Sequence, residues 1–103
     1  MHALTGRRLA LLFGAFTILP GVACKPRVTA AQCDELISRY ATLVVKEKFP
    51  TASAPVVEAE QKRERDQAAH EDAFRNCTTE VQPSEHQCAM AATTADAFEK
   101  CLE

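Results

Sequence analysis

Tryptophan is absent, tyrosine occurs once, and the three glycines all fall at or before position 21. From residue 22 onward no glycine remains, so no phosphate-cradling loop can form there. Such a loop needs backbone N–H groups to approach the ligand where a Cβ would obstruct them. No GxSxG surrounds Ser38, Ser53 or Ser84, so the strained turn that presents a serine nucleophile is missing. HExxH, CxxC and CxxCH are also absent, which removes the short-spaced ligand pairs of zinc and haem sites. His70-Glu71-Asp72 comes nearest to a metal set, yet it sits in a charged stretch that reads as solvated helix surface. A chain of 103 residues makes one small domain. One with so little site-building material is expected to be no enzyme and to hold no metal or cofactor.

What the chain does have begins with Arg7-Arg8, followed by the apolar run Leu9–Leu19 and by Pro20-Gly21-Val22-Ala23. A positive region, a short apolar run and small residues before a cut form a secretory signal. The run is too short for a spanning helix, which needs about 20 apolar residues. Residues 1–23 are therefore expected to be a removable signal peptide. The arginine pair matches a twin-arginine motif only in part, and a plain positive region accounts for it. All fourteen acids but only ten of the twelve basic residues lie beyond residue 23, giving that part a side-chain charge of −4. That sign disfavours nucleic acid or anionic lipid as an electrostatic partner.

Five cysteines, an odd count for an exported chain, stand at 24, 33, 77, 88 and 101. Gly21-Val22-Ala23-Cys24 resembles the lipobox of bacterial lipoproteins, in which the cysteine takes a diacylglycerol. Val22 and Ala23 fit it, while Gly21 departs from the usual Leu and also suits ordinary signal cleavage. Lipidation of Cys24 uses the odd cysteine and leaves four to pair. It implies a membrane partner through the lipid, with residues 24–31 as lipidated N-terminus and tether. Lys25 stands where an aspartate would signal inner-membrane retention, so the resemblance implies the outer membrane facing the periplasm; the alternative is secretion. The remaining four cysteines, in an oxidising compartment, are expected to form two disulfides. Each contributes about 2–4 kcal/mol to a domain too small to be secure on core burial alone.

Apolar periodicity assigns the rest, residues 32–103, to helices. Cys33, Leu36, Ile37, Tyr40, Ala41 and Val44 share one face of a helix over 32–48, widened by Leu43 and Val45. Pro50 and Pro55 bracket a loop. A second, heavily charged helix is expected over 57–77, with a thin stripe through Val57, Gln61, Glu64, Ala68 and Phe74, extended by Ala73 and Cys77. A loop over 78–83 precedes a short helix over 84–92. Thr93-Thr94 with Asp96 then resembles a capping box opening a last helix over 95–102. The expected fold is all-α: an antiparallel helical hairpin plus a short C-terminal helix–turn–helix, stapled by two disulfides. Helix directions favour Cys77–Cys88 with Cys33–Cys101; Cys33–Cys77 with Cys88–Cys101 is the alternative, since all four sulfurs can gather near one end.

The tail Cys-Ala-Met-Ala-Ala-Thr-Thr-Ala-Asp-Ala-Phe-Glu-Lys-Cys completes a pattern in which Cys33 opens an amphipathic helix and Cys77 closes a charged one. Over most of residues 33–101 it resembles a group of small four-cysteine helical lipoproteins of bacteria. The resemblance implies an exported helical domain with paired cysteines and carries no catalytic residue. Two functions follow as expectations. One is a non-enzymatic envelope module with a structural or protein-binding role. The other is a small helical carrier of an apolar ligand, which requires an enclosed apolar cavity.

Overall fold

Thr29 starts the first helix. Its Oγ1 accepts the Gln32 N–H at 3.1 Å while the Gln32 side-chain oxygen accepts the Thr29 N–H at 2.9 Å. This reciprocal cap satisfies two backbone donors that a helix start leaves open. It begins α1 at Ala30, two residues ahead of the expected start, and α1 runs to Lys48. The computed structural model describes residues 26–103. The expected signal peptide and Cys24 lie outside the described residues, and of the expected tether 24–31 the structure gives Ala30 and Ala31 to α1.

α1 buries Cys33, Leu36, Ala41, Leu43, Val44 and Val45, while Ile37 and Tyr40 of the expected face are half-buried. Lys46 and Lys48 in its last turn suit the negative end of the helix dipole. The chain turns at Pro50 and returns as α2, Ala54–Ala68, with Pro55 in the first turn, where no backbone N–H is required. α2 packs along α1 as the second arm of the hairpin. Of its residues only Ala68 is fully buried, so α2 is the polar outer wall.

The single long helix expected over 57–77 is not formed. α2 stops at Ala68, and two further one-turn helices follow, α3 (Asp72–Arg75) and α4 (Cys77–Glu80). Helical geometry gives the reason. Val57, Gln61, Glu64 and Ala68 do share a stripe. At about 100° per residue, Phe74 would lie about 240° around from Ala68 and Cys77 about 180° around, both aimed at solvent. The break over Ala69–Glu71 re-aims them. His70 and Glu71 donate to the carbonyls three residues back, Gln67 at 3.1 Å and Ala68 at 3.0 Å, and Glu71 turns extended. Phe74 and Cys77 then point into the core at 8% and 1% exposure. The loop expected over 78–83 is correspondingly shortened by α4.

α5 spans Pro83–Ala91, with Pro83 in its first turn and the Glu85 carboxylate accepting the Gln82 N–H at 2.8 Å. α6 spans Ala95–Cys101. Thr94, not Thr93, caps it: its Oγ1 accepts the Ala97 N–H at 3.1 Å. The residue three beyond the cap is Ala97, so the capping box with Asp96 does not form. The turn between α5 and α6 is held against α1 from two sides. Arg39 donates to the Ala92 carbonyl at 2.7 Å, and the Glu47 carboxylate accepts the Ala95 N–H at 3.0 Å.

The fold is all-α, a helical hairpin with a short helix–turn–helix against it, stapled by two disulfides. They are Cys33–Cys77 and Cys88–Cys101, with Cα separations of 6.0 and 5.6 Å. The preferred pairing, Cys77–Cys88 with Cys33–Cys101, is thereby corrected to its alternative. α4 lies against the first turns of α1, so Cys77 faces Cys33 in the core. Val81 and Gln82 run extended before α5 and carry Cys88 away to an exposed position, where antiparallel α6 returns Cys101 to it. Leu36, Ala41, Ala89 and Phe98 are wholly inaccessible, and no polar side chain is fully buried among the described residues.

Candidate aromatic and acidic cleft

Three aromatic residues from three elements meet on one side of α1. Tyr40 lies one turn beyond Leu36, Phe74 comes from α3 after the break, and Phe98 from the inner face of α6. Their ring centroids are 5.5 to 6.3 Å apart and the rings are tilted to one another. This is the separation at which edge-to-face quadrupoles attract. Phe98 is inaccessible and serves as the wall behind; Tyr40 is half-buried and reaches the surface.

Over these rings opens a cleft of about 340 Å³, with Leu102 and Ala73 beside it and Glu71, Glu99 and Glu103 on its rim. The Tyr40 hydroxyl donates to Glu99 Oε1 at 3.0 Å. Burial, that hydrogen bond, and the negative charges of Glu99, Glu71 and Glu64 push the phenol up to about 12. At neutral pH Tyr40 is therefore a fixed donor, not a base or a nucleophile. No basic side chain lines the cleft. Lys100 is turned to Asp96 at 3.0 Å, a pairing that raises its affinity for its proton. Among the described residues no three His, Cys, Asp or Glu side chains converge as a metal site. The rim carboxylates are thus spread around an opening rather than aimed at one point. Such an arrangement suits an extended cationic group over an aromatic floor better than a compact ion.

A second cleft, about 320 Å³, lies near the hairpin turn between Val45, Lys48 and Phe49 on one side and Glu60, Arg63, Glu64 and Gln67 on the other. Its lining mixes both charges. In α2 the charged side chains pair locally along the helix, Lys62 with Asp66 and Arg63 with Glu60.

The other singled-out residues are scattered. His70 is exposed in the break after α2; His86, on α5, meets Glu35 of α1 at 3.2 Å. Ser38, Ser53 and Ser84 are exposed on three different segments, Ser53 at the N-cap position of α2. Of the site residues expected from sequence, Cys33, Cys77, Cys88 and Cys101 are all bridged, and Cys24 lies outside the described residues. The sequence reading missed the cleft. Tyr40 and Phe98 were visible as inward-facing residues, but nothing in spacing joined Glu71, Glu99 and Glu103 to them. No helix among the described residues is long and apolar enough to cross a membrane. No protein-family model, curated protein or solved structure matches the chain.

Proposed function

We propose that the protein is a small exported lipoprotein, held by lipid on Cys24 at the outer membrane and facing the periplasm. There it acts as a non-enzymatic interaction module that binds an envelope protein partner. The observation that carries the binding role is the cleft over Tyr40 and Phe74, which is open, acid-rimmed and free of basic residues. A carrier of apolar cargo needs an enclosed apolar cavity, whereas the space between these helices is filled by Leu36, Ala41, Ala89 and Phe98. With its phenol protonated far above neutral pH, Tyr40 supplies no catalytic base. The negative mature charge favours a basic protein surface over nucleic acid.

The test is affinity capture from envelope extracts with the wild type and with a Glu71→Lys/Glu103→Lys variant, beside native mass spectrometry of the purified protein. The expected result is a specific partner retained by the wild type and lost by the variant. A co-purified apolar small molecule with no specific partner would overturn the proposal in favour of a carrier. Intact mass of the mature protein, with Cys24→Ser as control, tests the anchor: an acyl mass on the wild type supports it, and its absence means plain secretion.

A further inference from the structure

The segment ahead of α1 is bound to a part of the chain more than 50 residues away. Val28 is 4% exposed and packs in the same apolar cluster as Val81, Cys33 and Cys77. Its N–H donates to the Val81 carbonyl at 3.1 Å, and the Arg27 Nε donates to the Thr79 carbonyl at 3.0 Å. The Cys33–Cys77 bridge ties the two strips together from beneath. The chain is therefore held from Arg27 onward, and only four peptide units separate Cys24 from Val28. Fully extended, four residues reach about 14 Å. The polar layer on each side of a bilayer is about 5–8 Å thick, and a lipid-bearing Cys24 has its backbone at that layer. Val28, with the Thr79–Val81 strip bound beside it, then lies no more than about 14 Å from the headgroup layer.

From this we infer that the end of the domain formed by Arg27, Thr79 and Glu80 is a bilayer-contacting surface, its partner a phospholipid headgroup layer. The turn between α1 and α2 is the distal end. This rests on the lipid anchor proposed for Cys24. α1 has 19 residues and spans about 28 Å, enough to carry Thr51 well clear of the headgroups. Charge distribution acts in the same direction. Lys25 and Arg27 follow Cys24 in sequence and offset Glu80, whereas residues 28–103 as a whole hold eight basic and fourteen acidic side chains and are repelled by anionic lipid. The docked segment leaves the domain little freedom to tumble on its anchor.

Because the chain has no tryptophan, a single introduced one reports its own depth. Glu80→Trp and Thr51→Trp replace exposed residues at the two ends, and Thr79→Trp is a second probe near the anchor. Each mature protein, its helicity checked by circular dichroism, is reconstituted into phosphatidylethanolamine–phosphatidylglycerol vesicles containing headgroup-nitroxide lipid. Quenching several-fold stronger at position 80 or 79 than at 51 is expected. A flexible Gly-Ser insertion of about ten residues after Lys25 should preserve the acyl mass and helicity yet reduce quenching at 80 to the level at 51. Equal quenching at both ends of the acylated protein overturns the inference while leaving the anchor standing. An unacylated mature protein overturns the anchor and the inference with it.

Discussion

Reduction should open the two disulfides in a fixed order. Cys33 and Cys77 are 7% and 1% exposed, whereas Cys88 is exposed and Cys101 half-buried. Thiol–disulfide exchange requires a thiolate to reach a sulfur atom, so a dithiol at about pH 8, where a reactive minority of it is thiolate, should open Cys88–Cys101 first. The sequence separations are 13 and 44 residues. Chain-entropy loss on closing loops of those lengths corresponds to about 3 and about 4 kcal/mol. Losing the first bridge alone should leave the domain folded. With a urea slope of about 1 kcal/mol/M for so small a domain, the midpoint should fall by about 3 M. Losing the second as well should unfold it, since the combined loss rivals the whole stability of a typical domain, about 5–15 kcal/mol. The assay is a dithiol titration quenched by alkylation, with mass mapping and circular dichroism at each point. Trypsin supplies the control on connectivity. Cys77 and Cys88 share peptide 76–100, Cys33 lies in 28–39 and Cys101 in 101–103. The bridges of this structure join all three peptides into one species. Release of 76–100 as a separate, internally bridged peptide, or opening of Cys33–Cys77 first, would refute the reasoning.

Three further outcomes follow from the core and the cleft. The Tyr40 phenol is held protonated to about 12, whereas an unfolded tyrosine ionises near 10. The unfolded chain thus loses its proton first, so the stability at stake is complete below about pH 10 and is lost as pH rises toward 12. Phenolate absorbance of the only tyrosine should show the high midpoint, and Glu99→Gln should lower it; a midpoint at the ordinary value contradicts the cleft geometry. Phe98→Ala removes a wholly inaccessible ring and should cost about 3–5 kcal/mol in urea unfolding; a cost below about 1 kcal/mol would mean that α6 is not packed as described. Thr94→Ala should cost about 1 kcal/mol by the same measurement while Thr93→Ala is nearly neutral, because only Thr94 caps α6; the reverse order would restore the capping box expected from sequence.

Much of the helical layout was legible because it is local. The α1 stripe, Pro83 at the start of α5 and a threonine opening α6 follow from period and cap chemistry within a few residues. The starts of α1 and α2 were misjudged by two and three positions because Thr29–Gln32 and Ser53-Ala54-Pro55 were not weighed as starts. The break after Ala68 was also open to calculation. Carrying the angular count past Ala68 places Phe74 and Cys77 off the stripe, so the sequence already disagreed with one continuous helix there.

The sequence by itself determined an all-α chain with four bridged cysteines, since periodicity, capping and cysteine number act locally or by count. Which cysteines pair was decided only by tertiary structure. Cys77 stood between Cys88 and Cys33 as partners until the turn at Ala69–Glu71 and the extended Val81–Gln82 fixed the directions of α4 and α5. The cleft was decided in the same way: Tyr40, Glu71 and Glu99 are separated by up to 59 positions, and no local rule relates residues that meet only when three helices pack. The docking of Val28 on Val81 belongs with them. Its hydrogen bond lies outside every helix and depends on where two distant segments come to rest.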